Sequence, residues 1–407
     1  MPVERLSALD AAFLALENDV QPLHVGSVLL LDGPPPPYDE LRDDLVRRAA
    51  AMPALRRRVH RVAGGLGRPV WVDDADVAVE DHMRYVVLDA PGDRPALRAF
   101  VSHVMRERLD VTRPLWEMWQ VDGLEGGRWA LVIRAHHTLV DGFVGTGLLT
   151  SLLSGERAMP REPVRPSDPL SAPRTSTVAL AAAAWVVALP YRTGRLAARC
   201  VTDPAAVRGQ ARRVRQGVRT VAVPDLPPCV LSGPLGRRRT WGWLSYDLAD
   251  VERAAVRGGG TVNDVFLAAL AGGYRSHLST HDALAPGARL RSIVPVSMHV
   301  GESERRTGNI DAAIFVDLPV HESDARARLA DVVRQTRESK SSGVASGTAA
   351  MVRAADHVPA PVLDAAARAY VRRGQRRVNV AASNVPLPLP RSRTWRRTPR
   401  ARRGSSR

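Results

Sequence analysis

The residues best suited to chemistry in this chain are His136 and His137, in the run Leu131-Val132-Ile133-Arg134-Ala135-His136-His137-Thr138-Leu139-Val140-Asp141-Gly142. A neutral imidazole titrates near working pH, so it can take a proton from an alcohol during attack on a carbonyl. Adjacent residues at a strand end point to opposite faces, so only one of the two can enter a given pocket. Asp141 can brace the turn that follows, and Gly142 beside it leaves room for a substrate. Local chemistry leaves three roles open for the pair: general base, structural hydrogen-bonding pair, or metal ligands. A metal site would need Asp141 plus further ligands, and no nearby Cys, His or Glu cluster completes a shell.

The elements that must position these residues read as mixed α/β. Val25–Leu31 is a strand, Tyr38–Ala51 and Ala96–Leu109 are helices, and Glu117–Val121 and Trp129–Ala135 are strands joined across the Gly-containing loop Asp122–Arg128. A helix is expected after Asp141, to about Leu153. From 156 to 236 prolines, glycines and arginines dominate, which reads as a crossover between domains. It contains Val178–Leu189, uncharged and too short to span a bilayer. This segment is either a buried helix or one lying in a membrane interface. Arg192, Arg195, Arg199, Arg208, Arg212, Arg213 and Arg215 follow it. Beyond, Thr240–Leu248 reads as a strand and Val262–Leu278 as a helix capped by Thr261. Arg291–Val296, Ala312–Leu318 and Arg377–Ala382 read as strands, with helices at Ser323–Ser339 and Pro361–Arg372. The expected organisation is an N-terminal domain over 1–155, the crossover over 156–236, a second domain over 237–388 and a tail over 389–407.

An apolar fraction of 45% with 25% charged residues excludes a disordered chain. Cys200 and Cys229 cannot build a disulfide framework, which suits a reducing cytoplasm. The start, Met1-Pro2-Val3-Glu4-Arg5-Leu6-Ser7, lacks the apolar core of a signal peptide. Half of the net charge of +16 comes from eight arginines in 391–407, where no acid offsets them. That tail reads either as a solvated, disordered end or as a grip on phosphates. The remaining basicity suits an anionic cosubstrate or membrane surface, and no specific nucleic-acid site is expected.

His136-His137-x3-Asp141-Gly142 resembles the active-site motif of the CoA-dependent acyltransferase superfamily. Further motifs narrow this to a resemblance to the bacterial wax ester synthase/diacylglycerol acyltransferase family. They are Leu6-Ser7-Ala8-Leu9-Asp10-Ala11-Ala12-Phe13-Leu14 with His24-Val25-Gly26, then Pro114-Leu115-Trp116, Asn263-Asp264, Pro295-Val296-Ser297, Gly308-Asn309 and Ser383-Asn384-Val385-Pro386. The resemblance covers about residues 5–388. It implies a two-domain, chloramphenicol acetyltransferase-like fold with the active site between the domains. Acyl-CoA is then a cosubstrate, with no cofactor and no metal. His137 would deprotonate a diacylglycerol or long-chain alcohol for direct attack on the thioester, without an acyl-enzyme. His136 supports it, Asp141 is structural and held by an arginine, and Gly142 keeps the passage open. The implied setting is cytoplasmic, peripheral to the inner membrane or lipid droplets.

The secondary motifs also have plainer readings. Pro114-Leu115-Trp116 is a strand entry with a core tryptophan, Asn263-Asp264 packs a helix start, and Asp10 caps a helix. The chain departs from the family at His299, where the family usually has arginine, and again after Pro388. The end then reads as out-of-frame translation that leaves the second sheet incomplete. Two other functions remain in view: acylation of a different hydroxyl acceptor by the same chemistry, or a truncated inactive remnant that binds anionic surfaces.

Overall fold

A strand that is apolar on both faces belongs in the middle of a sheet, and Arg128–His136 is buried along almost its whole length. The computed structural model describes residues 4–62, 67–73, 79–139, 191, 198, 201–222, 224–297, 311–342, 344–374 and 377–384. In the first half the elements are α1 (Ala8–Leu16), β1 (His24–Leu31), α2 (Tyr38–Ala50), β2 (Arg57–His60), β3 (Val70–Asp73), β4 (Met83–Val87), α3 (Arg94–Val104), β5 (Trp116–Leu124) and β6 (Arg128–His136). They form a sheet in the order β1-β6-β5-β4, with β2 and β3 as a separate hairpin. β6 pairs antiparallel with both β1 and β5, while β4 and β5 run parallel.

Alternation along β6 splits the core in two. Trp129, Leu131, Ile133 and Ala135 pack with Leu41 and Leu45 of α2. On the other face Ala130 and Val132 pack with Leu97, Val101 and Val104 of α3. Each fully buried apolar side chain of this kind contributes about 1.5–3 kcal/mol. Arg134 and His136 continue the α3 face toward the strand end, and this is where the polar site is built.

The second half contains α4 (Pro204–Val221), α5 (Leu248–Arg257), α6 (Val262–Thr280), β7 (Leu290–Ser297), β8 (Asp311–Leu318), α7 (Ala325–Ser341), α8 (Val344–Ala355), α9 (Ala360–Gly374) and β9 (Val380–Ala381). Its sheet order is β8-β7-β9. Leu267, Ala271 and Leu278 of α6 cover Leu290, Val294, Ile314 and Val316 of the sheet. β9 runs parallel to β7, which leaves Pro295–Ser297 and Ser383–Asn384 at one end of this sheet. The two halves touch through α1: Asp356 accepts the Ala8 N–H at 2.8 Å and pairs with Arg68 at 2.6 Å.

Two expectations change. Thr240–Leu248 is not a strand: residues 240–247 are irregular and α5 begins at Leu248. Trp241 and Trp243 stack on each other, and the hydrogen-bonding groups of this stretch are taken by α3. Arg98 donates to the Trp241 carbonyl, Arg94 donates to the Trp243 carbonyl, and the Trp241 indole donates to the Arg98 carbonyl. The arginine-rich stretch after 203 is not merely a connection, because Pro204–Val221 is a helix. Asp203 caps it by accepting the Ala206 N–H at 3.0 Å. Val207 and Val214 are the helix's less exposed apolar residues, and Gly217 is its buried contact. Gly217 there meets Gly347 of α8 so closely that an added Cβ would lie 2.2 Å from the Gly347 carbonyl oxygen.

That crossing generates a paired test. Gly217→Ala should destabilise the protein by about 1–3 kcal/mol, because the backbone it meets cannot move aside cheaply. Gly209→Ala, on the same helix but facing open space, should stabilise by about 0.5–1 kcal/mol through helix propensity. Thermal melts of the two variants should shift in opposite directions.

Candidate active site

The strand β6 ends in two backbone hydrogen bonds that point to opposite edges. The His136 N–H donates to the Leu115 carbonyl at 2.9 Å, and the His137 N–H donates to the Leu23 carbonyl at 3.0 Å. Beyond them the chain turns, with the Leu139 N–H donating to the His136 carbonyl at 2.9 Å. The histidine pair is therefore held on both sides by its own main chain. Pro114-Leu115-Trp116 supplies one of those sides. Trp116 opens β5, lies in the core and donates its indole N–H to the Leu55 carbonyl at 2.8 Å, as a strand-entry tryptophan should.

His136 is fully buried. Its Nδ1 accepts the Thr138 N–H at 3.0 Å, and its Nε2 faces Glu17 Oε1 at 3.7 Å. Burial pushes its pKa down to about 4, helped by His137 and Arg108. It is neutral at pH 7. His24 stands directly opposite His136 in the β1–β6 register. Burial and then Arg134 push His24 down to about 4 as well, and its Nε2 faces the Met105 carbonyl at 3.2 Å.

His137 is half-buried, and its ring lies against Phe13 with centroids 5.2 Å apart. Burial alone lowers its pKa, so it too is neutral at pH 7 and able to accept a proton. Phe13 comes from α1, and so do two further contacts. Asp10 gives its carbonyl oxygen to the Thr138 hydroxyl at 3.2 Å, and Glu17 follows at the helix C-cap. Asp10, Phe13 and Glu17 are spaced i, i+3 and i+7, so one helix face serves the whole histidine turn. Asp10 is not itself the cap. Ser7 is, and Asp10 accepts the Ser7 hydroxyl at 2.6 Å.

Beneath this layer Arg134, buried and lying over the Trp119 ring, pairs with Glu117 and donates to the Val104 and Glu107 carbonyls at the end of α3. Glu17 and Arg108 were not among the residues singled out in the sequence, and Phe13 and Arg134 stood there only inside longer motifs, although the i, i+3, i+7 spacing on α1 was visible. Asp264 caps α6 with Thr261, accepting its N–H at 2.7 Å, and also accepts the Thr336 hydroxyl at 2.7 Å. The helix-start reading of Asn263-Asp264 therefore holds for Asp264. Asp141, Gly142, Val178–Leu189, His299, Gly308-Asn309, Val385-Pro386 and the tail from 389 lie outside the described residues. Among the described residues no three His, Cys, Asp or Glu side chains group as metal ligands, and no helix is long and apolar enough to cross a membrane.

Mixed α/β halves of this kind define a fold shared with solved structures. The first condensation domain of the calcium-dependent antibiotic synthetase matches the fold with a TM-score of 0.53 and 20% identity, over 86% of this chain and 76% of that one. The wax ester synthase/diacylglycerol acyltransferase from Marinobacter aquaeolei VT8 matches with a TM-score of 0.59 and 26% identity, over 94% and 81%. The family model for the wax ester synthase/diacylglycerol acyltransferase catalytic domain matches residues 6–266, and that for the WS/DGAT C-terminal domain matches 307–392. A putative diacylglycerol O-acyltransferase of Mycobacterium tuberculosis (strain CDC 1551 / Oshkosh) is 36% identical over 85% of this chain and 68% of its own length. A probable diacylglycerol O-acyltransferase, tgs1 of M. tuberculosis strain H37Rv, is 30% identical over 95% of this chain and 82% of its own length. The chain belongs to the wax ester synthase/diacylglycerol acyltransferase family. It is an acyltransferase with a chloramphenicol acetyltransferase-like fold.

The two depressed histidines generate a stability test. Between about pH 6.5 and pH 4 the unfolded chain binds protons that folded His24 and His136 refuse. Their contribution is complete above about 6.5 and is lost as pH falls toward 4. His24→Gln removes one of the two, so its urea midpoint should fall less steeply than that of the wild type over this window. Parallel slopes would show that His24 is protonated in the folded protein already.

Proposed function

We propose that this acyltransferase moves a long-chain acyl group from acyl-CoA to the hydroxyl of a diacylglycerol or a long-chain alcohol, with His137 as general base. The observation that carries this reading is the placement of His137: a neutral imidazole on a rigid strand end, half-buried, beside an apolar ring that suits an acyl chain or an alcohol tail. The names of the relatives support the choice of substrates.

In the proposed reaction His137 takes the hydroxyl proton as the alcohol oxygen attacks the thioester carbonyl carbon. The tetrahedral intermediate collapses, the carbon–sulfur bond breaks, and the CoA thiolate leaves and takes up the proton. No acyl-enzyme is needed. Cys229 is consistent with that, since its thiol meets Ser232 and Asn379 rather than a base. No cofactor enters beyond the acyl-CoA cosubstrate. His136 supports its neighbour, Asp141 braces the loop as a structural residue, and Gly142 keeps the passage open.

Apolar substrates and products call for a lipid surface, and we place the enzyme peripherally on an anionic membrane or lipid droplet on the cytoplasmic side. Support comes from α4, where Arg208, Arg212, Arg215 and Arg219 are exposed at i, i+4, i+7 and i+11 on one face. No acid pairs with them among the described residues. Exposed charge of this kind acts on anionic headgroups and is screened by salt.

Purified protein should form neutral lipid from palmitoyl-CoA and diacylglycerol or hexadecanol, and His137→Ala should lower the rate by roughly 100- to 10,000-fold. Near-full turnover by a folded His137→Ala protein would falsify the base assignment. For the surface, replacing all four arginines of the α4 stripe with glutamine should weaken sedimentation with phosphatidylserine-containing vesicles, and added salt should weaken it in the wild type. Binding unchanged by the four substitutions would place the contact elsewhere.

A further inference from the structure

His136 is neutral, so it carries one ring proton, and which nitrogen holds it decides what the ring can do. Its Nδ1 accepts the Thr138 N–H at 3.0 Å, which leaves the proton to Nε2. The group that faces Nε2 is the carboxylate of Glu17 at 3.7 Å. Both side chains are almost wholly buried, at 1% exposure for Glu17 and 0% for His136. A carboxylate taken that far from water needs compensation, and two groups supply it. Arg108 reaches Glu17 Oε2 at 3.1 Å, and the Leu23 N–H donates to Oε1 at 3.1 Å.

Leu23 is the link that gives this arrangement a direction. Its N–H is held by Glu17, and its carbonyl accepts the His137 N–H at 3.0 Å. One carboxylate oxygen thus binds the peptide on which the His137 backbone rests and faces, at 3.7 Å and without a hydrogen bond, the ring whose Nδ1 pins the Thr138 N–H immediately after it. We propose that Glu17 is a positioning residue for His137: it fixes the orientation of the Leu23 peptide on which the His137 backbone rests, and its charge favours the Nε2–H tautomer that the Thr138 N–H selects in His136.

The proposal rests on the assignment of His137 as the base, and it adds a residue far from that motif in sequence. A tautomer fixed by a carboxylate is a known way to orient an imidazole: the partner takes no proton but determines which nitrogen presents a lone pair. Here the carboxylate acts one residue removed, on the supporting histidine. Arg108 keeps Glu17 in place while standing too far out to replace it, since its own side chain is 38% exposed.

The test uses the full chain, labelled with nitrogen-15 histidine, and three proteins: wild type, Glu17→Gln and His137→Ala. In the wild type the His136 nitrogen shifts should report the Nε2–H tautomer. Glu17→Gln keeps shape and can still accept the Leu23 N–H, but it loses the charge facing Nε2. It should lower kcat roughly 10- to 100-fold, leave the acyl-CoA KM within about twofold, keep a cooperative melt, and move the His136 Nε2 shift, since the charge facing that nitrogen is gone. A role in folding alone would move the melt and leave the kcat of the folded fraction unchanged, and that result overturns the proposal. So does an Nδ1–H tautomer of His136 in the wild type, a measurement that needs no variant and decides the matter alone if Glu17→Gln does not fold. Full turnover by His137→Ala would sink the base assignment separately, while the nitrogen shifts would still report whether the Glu17 charge acts on His136.

Discussion

The site depends on the way one strand ends. A β-strand normally exhausts its backbone donors on its neighbours, and β6 does so up to its last residue, sending the His136 N–H to Leu115 on one edge and the His137 N–H to Leu23 on the other. Because both edges are occupied, the turn that follows cannot slide in register, and a one-residue slip would swap the faces of His136 and His137. The histidine pair is therefore chemically specific only as long as β1 and the Leu115 segment remain paired with β6. Trp116 in the core and the pairing of Arg134 with Glu117 fix that second segment.

The helix α1 converts this rigid end into a site. Its inward face carries Ala11 and Leu14 into a small apolar cluster with Leu6, Leu109 and Leu115, which sets its distance from the sheet. With that distance set, Phe13 lies on the His137 ring, the Asp10 carbonyl takes the Thr138 hydroxyl, and Glu17 faces His136. The same helix is held from the second half by Asp356 at its first N–H. A shift of the second half would thus reach the histidines through α1 as a rigid element, and the active site belongs to the contact between the halves as well as to the first sheet.

Much of this was legible in the sequence. The apolar run Trp129–Ala135 announced a strand ending beside His136, and Thr261 announced a capped helix that the structure closes with matching hydrogen bonds to Asp264. Other parts were hidden for physical reasons. Glu17 is an ordinary helix-terminal glutamate until the chain brings it to His136, more than a hundred residues on. The helix Pro204–Val221 has an apolar repeat at Val207, Ala211, Val214, Val218 and Val221, but Gly209, Gly217 and the many arginines among them made the stretch read as a crossover. The Trp241–Trp243 stretch alternates like a strand, but its carbonyls bond to arginine side chains of α3, a pairing that no periodicity reveals.

The electrostatics of the three clustered imidazoles bear on which of them suits the proton transfer proposed for His137. His24 and His136 are both driven to about 4, with cationic or imidazole neighbours adding to burial. They stay neutral across the working range and act as polar but uncharged spacers. Burial lowers His137. A proton taken up there would place positive charge beside His136, which does not compete for it. Burial keeps His137 unprotonated at rest, as the base proposed for the alcohol must be. An arrangement with three exposed histidines would titrate together and lose this distinction, which is why the burial of His24 and His136 is part of the chemistry proposed for His137.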